Sequence, residues 1–93
     1  MSNFTHDDIL AVWQKGKVVP GNDPAYWRKD QCGAWMSYRA YGNRQSEYGW
    51  EIDHITPVSH GGSDNLSNLR PFVPFPKNVN FPFLGQPKTR LQI

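Results

Sequence analysis

Cysteine is nearly absent from this sequence. Cys32 stands alone, so neither an internal disulfide nor a zinc knuckle of paired Cys-x-x-Cys motifs can be built. Long apolar runs are missing too: nothing approaches the ~20 residues that cross a bilayer. The opening stretch from Met1 to Asp8 lacks the basic-then-apolar layout of a signal peptide, and a reducing cytoplasm is the expected compartment. Charge is sparse at 19%, below the ~25% of an average domain, which argues against a disordered polyelectrolyte. The formal charge of +2 permits a nucleic-acid partner without arguing for one. Apolar residues, at 38%, are also few. Aromatics compensate: four Trp, four Tyr and five Phe can each remove ~150–250 Å² from water. Ninety-three residues then suffice for one domain, 1–93, without a second core.

A capping signature opens the chain. Thr5 followed by Asp8, with Asp7 between them, suits a helix N-terminus, and Ile9, Leu10, Val12 and Trp13 follow helical spacing. The pattern predicts a helix over 6–15 with Gly16 as its C′ residue. Residues 16–24 are a connector rich in turn formers. Between Ala25 and Tyr41, aromatics alternate irregularly with Arg28, Lys29 and Arg39, which reads as a small aromatic core with a basic rim. Trp13, Trp27, Trp35 and Trp50 are expected in or near the core, and Cys32 as a small buried hydrophobe. Residues 48–55 alternate as a strand with Tyr48, Trp50 and Ile52 on one face. A long polar loop with a Gly61-Gly62 hinge follows. A Pro-interrupted segment then runs to Asn80, and the tail, 81–93, is irregular.

Asp53-His54, at the end of that strand, places a carboxylate beside an imidazole between two isoleucines, an odd choice for a core strand. The stretch from Glu51 to Pro71 gives the pair its meaning. Its Asp-His pair, its Pro-x-Ser-x-Gly-Gly loop, its Leu-Ser-Asn-Leu-Arg-Pro exit and the 14-residue spacing from His54 to Asn68 closely resemble the HNH endonuclease core. Residues 28–36 and 41–44 resemble a small branch of the same family, and the likeness covers roughly residues 12–80.

The resemblance implies an α+β fold: a ββα-metal core over about 25–80 behind the N-terminal helix, with the two strands joined by the loop around 56–66. It implies hydrolysis of DNA phosphodiesters to a 5′-phosphate and a 3′-hydroxyl. Asp53 would be the first ligand of one divalent metal ion, His54 the general base, and Asn68 the residue steadying the loop and the imidazole. A backbone carbonyl across the hairpin is the expected acceptor for the second imidazole nitrogen. The family's last ligand falls by spacing on Lys77, whose ammonium cannot ligate. Asn78 is therefore the candidate second ligand, on a short helix starting near Pro76, with Asn80 behind it. Oxygen donors of this kind favour Mg²⁺ or Mn²⁺, with Zn²⁺ and Ni²⁺ as alternatives. His60, Arg70, Lys77 and Arg44 are weaker candidates for phosphate contacts. His6 is given no role. DNA is the expected partner, a bacterial or phage source is implied, and no membrane association is expected. The competing readings are a catalytically impaired nucleic-acid-binding module of the same fold and a protein-interaction module.

Overall fold

The computed structural model describes residues 3–76. Helix α1 spans His6–Trp13. The capping box forms as the sequence predicts: the Thr5 hydroxyl accepts from the Asp8 amide at 3.1 Å, and the Asp8 carboxylate accepts from the Thr5 amide at 3.0 Å. The helix ends earlier than expected, with Gln14 as its C-cap. Gly16 is not among the left-handed glycines. Its role is close approach, since a Cβ there would sit 2.8 Å from the Met36 methyl and 3.1 Å from the Arg28 Cβ.

The mixed aromatic and basic segment forms a hairpin that its irregular pattern did not announce. Strands β1 (Trp27–Lys29) and β2 (Trp35–Ser37) pair antiparallel, with Arg28 opposite Met36. The expected second strand is shorter than its alternation: β3 covers Glu51–His54 and pairs antiparallel with β4, Leu69–Phe72. Pro71 fits in β4 because, among the described residues, this sheet has two strands, so a missing amide can face away from the ladder. The expected pair of antiparallel strands joined by a polar loop is therefore present. The helix expected to follow, with Lys77, Asn78 and Asn80, lies outside the described residues.

The core lies between α1 and the two hairpins. It consists of Val12, Trp13, Ala34, Met36, Trp50, Leu69 and Val73. Trp13 is its centre, with ring centroids 5.2 Å from Trp50 and 5.5 Å from Tyr38. Its indole donates to the Pro24 carbonyl at 3.0 Å, so burial leaves no orphaned donor. Trp13 and Trp50 are buried in the core, whereas Trp27 and Trp35 are half-buried outside it.

Cys32 is exposed, contrary to expectation. The buried group at this turn is Asp30, with no exposed surface. One carboxylate oxygen accepts from the Cys32 and Ala34 amides at 3.0 and 2.9 Å, and the other from the Val73 amide at 3.1 Å. Asp30 thus ties the β1–β2 turn to the chain leaving β4, a long-range link that elsewhere a metal knuckle could supply. The turn points the Cys32 side chain outward because the carboxylate occupies its inner side. Asp30→Ala should cost at least ~3 kcal/mol of stability. The truncation leaves three amides without their acceptor, two of them in buried hydrogen bonds, at roughly 1–3 kcal/mol for each orphaned group. Urea denaturation of the two proteins measures the difference.

Candidate active site

The end of β3 carries the site. In the ladder, Asp53 stands opposite Arg70 and His54 opposite Leu69, so the two neighbours face opposite sides of the sheet. Asp53 is partly exposed and accepts from the Arg70 guanidinium at 3.1 Å. The His54 ring lies 6.4 Å from that of Phe4, just before α1.

His54 Nε2 lies 2.7 Å from an Asp64 carboxylate oxygen. The acceptor is thus a side chain from the loop, where sequence reasoning expected a backbone carbonyl. An ionised carboxylate can only accept, so the contact places the imidazole proton on Nε2 and leaves the Nδ1 lone pair available. Among the described residues, no hydrogen bond to Nδ1 is formed. Asp64 is the functional candidate that sequence reasoning missed. It reads as one more polar residue in a loop of them, and only the path of the loop brings it back to β3.

That path is fixed by Asn68. Its amide oxygen accepts from the Thr56 amide at 2.8 Å, while its nitrogen donates to the carbonyls of Thr56 at 3.0 Å and Ser63 at 2.8 Å. Both ends of the loop are thereby held to one side chain, a use of Asn's paired donor and acceptor. Lys15, just beyond α1, adds hydrogen bonds to the carbonyls of Leu66 at 2.7 Å and Leu69 at 2.5 Å.

The two glycines of the loop serve different ends, Gly61 a backbone conformation and Gly62 a close approach. Gly61 takes a left-handed conformation (φ 89°). At Gly62, a Cβ would fall 1.8 Å from the Thr56 carbonyl oxygen and 2.9 Å from the Asn68 amide nitrogen. Gly62→Ala should therefore destabilise the protein by roughly 1–3 kcal/mol, the usual cost of overpacking. It should also push the Asn68 amide out of register. Urea denaturation reads the first effect, and chemical-shift changes at Thr56 and Ser63 read the second.

The weaker nucleic-acid candidates sit as follows. Arg70 is engaged with Asp53, and Arg44 forms a two-bond pair with Glu51 at 2.6 and 3.1 Å, its guanidinium 5.7 Å from the Phe75 ring. That pairing raises Arg44 above its ordinary pKa, through the hydrogen bond first and the charge of Glu51 second. Burial, then Glu51, also pushes the Tyr41 phenol up. His60 is exposed in the single turn Val58–His60. Lys77 and Asn78 lie outside the described residues.

Among the described residues, no group of three or more His, Cys, Asp or Glu side chains is arranged to hold a metal ion. Asp53 nevertheless offers a hard oxygen donor, partly exposed, one residue before His54 on β3. One carboxylate is enough for an ion such as Mg²⁺, which keeps several waters and takes its other ligands from substrate phosphate. By its own chemistry the Asp53 carboxylate suits a hard, oxygen-preferring cation.

No helix among the described residues is long and apolar enough to cross a membrane. No curated protein and no solved structure matches the chain. Residues 40–72 do match a family model, and this stretch contains Asp53, His54, Asp64, Asn68 and Arg70. The model is that of the HNH endonuclease, so the β3–β4 hairpin and its loop are similar to a segment of a family whose nucleases act on nucleic acids.

Proposed function

We propose that this chain is a divalent-metal-dependent DNA endonuclease in which His54 accepts the proton of the attacking water. The observation that carries the reading is the 2.7 Å contact between His54 Nε2 and Asp64, one residue along the strand from Asp53. It gives the imidazole a fixed tautomer and orientation before substrate arrives. The Asp64 charge also stabilises the imidazolium that forms when Nδ1 takes a proton. Asn68 holds the loop that carries Asp64, so its influence on His54 is indirect, through position.

Asp53 is the protein ligand for the metal in this reading, with Asn78 as its proposed companion. Bound there, a divalent cation supplies charge stabilisation at the phosphate and the departing oxygen. The loop itself supports a nuclease more than a passive binding module. Binding phosphate demands cations, whereas here the loop brings a carboxylate onto a histidine.

The test is conversion of supercoiled plasmid to nicked and linear forms by the 93-residue chain. Cleavage is expected with Mg²⁺ or Mn²⁺ and should cease in EDTA. Salt-sensitive DNA binding without cleavage in any divalent metal would instead identify the impaired module, and cleavage that survives EDTA would refute the metal requirement.

A further inference from the structure

Trp27, Trp35 and Tyr48 wall a cavity of about 190 Å³, with Asn22 at its edge, and none of the four belongs to the Asp53–His54 site. The Trp27 ring stands nearly perpendicular to both neighbours, at 87° to Trp35 and 89° to Tyr48, with centroids 6.2 and 5.1 Å away. The volume is below the ~300–1,000 Å³ of a pocket for a drug-sized ligand, so it suits a single ring system.

The indole donors divide the four tryptophans into two kinds. Trp13 and Trp50 donate to the backbone carbonyls of Pro24 and Tyr38. Trp27 and Trp35, both half-buried, form no such bond among the described residues. The Asn22 side chain likewise has no hydrogen bond there. The cavity is thus lined by aromatic rings whose indole donors, like the exposed Asn22 side-chain amide, are not used within the described residues. A flat heterocycle with polar edges would use both.

The charge around the cavity selects among such heterocycles. Lys29 Nζ lies 4.8 Å from the centroid of the Trp35 ring, so an incoming organic cation would meet like charge. Trp27 also lines a second cavity of about 270 Å³ with Arg39, whose guanidinium lies 5.4 Å from the Tyr26 ring. Cations spaced beside aromatic faces are what a phosphate-linked series of bases requires.

We infer that the Trp27–Trp35–Tyr48 cavity binds an unstacked nucleobase of single-stranded DNA, with Lys29 beside the adjoining phosphate. The inference rests on DNA as the substrate of the proposed nuclease and extends it to the form of DNA the protein holds. A base inside a duplex has both faces covered, so the cavity favours frayed, nicked or single-stranded segments.

The experiment is fluorescence anisotropy of the full chain with a labelled oligothymidylate, in EDTA so that nothing is cleaved. A strand of equal length with abasic sites in place of bases is the comparison. The wild-type protein should bind the base-bearing strand roughly 5- to 150-fold more tightly. Trp35→Ala should remove that preference and leave abasic binding unchanged, and Trp35→Phe should restore much of it. Equal wild-type affinity for the two strands overturns the proposal without any variant. So does a Trp35→Ala protein, folded by circular dichroism, that keeps the preference. Either result leaves the plasmid assay untouched, so failure of the pocket and failure of the nuclease reading are separable.

Discussion

Replacing His54 by alanine should slow plasmid cleavage by roughly 10²–10⁴-fold, the usual contribution of a positioned general base. The variant should remain folded, because His54 sits at the end of β3 and no core hydrogen bond depends on it. Far-UV circular dichroism alongside the rate settles that point. DNA binding in EDTA should change little, so the loss should fall on the rate and not on affinity. Asp64→Asn supplies the companion result. Its amide can still offer an oxygen to Nε2, but the negative charge that stabilises the imidazolium is gone. A loss of roughly 10–100-fold is expected, as for groups that orient a reacting histidine. If His54→Ala cleaves at the wild-type rate, water is activated elsewhere. If Asp64→Asn is neutral while His54→Ala is not, the 2.7 Å contact is dispensable.

How far the sequence revealed the site depends on the distance over which each signal acts. The helix start was legible because a capping box involves residues three apart, Thr5 and Asp8. The family match was legible because its signature is contiguous, from Asp53 to Pro71. By contrast, the β1–β2 hairpin has three-residue strands, too short for any alternation to register. Asp30 was hidden for another reason. A buried carboxylate looks like any surface aspartate until the amides of Cys32, Ala34 and Val73 converge on it, and one of these is 43 positions away. Asp64 was missed because its partner lies across a loop whose path is set by Asn68 and by the lack of a Cβ at Gly62. Composition misled at Cys32. The burial preference of a free cysteine is a statistical tendency, and here the neighbouring carboxylate took the inner position.

Asp53→Ala should abolish cleavage at low metal concentration and recover part of it as Mn²⁺ is raised, whereas His54→Ala should stay slow at every metal concentration. The asymmetry follows from the two chemistries. A weakened site can be refilled by mass action, but no concentration of cation replaces a missing proton acceptor. Even changes to residues that only support a ligand cost about 10–100-fold, so loss of the ligand itself should exceed that at limiting metal. The Arg70 contact gives the prediction a second edge. Its guanidinium lies 3.1 Å from one oxygen of Asp53, so an incoming cation must compete with that positive charge. Arg70→Ala removes a competing positive charge from the carboxylate, and activity should then saturate at lower metal concentration than in the wild type. That shift runs opposite to the one for Asp53→Ala, so the two titrations together locate the cation at this carboxylate. Identical metal curves for Asp53→Ala and His54→Ala would dissolve the division of roles, and an unshifted Arg70→Ala curve would place the ion away from the Asp53–Arg70 pair.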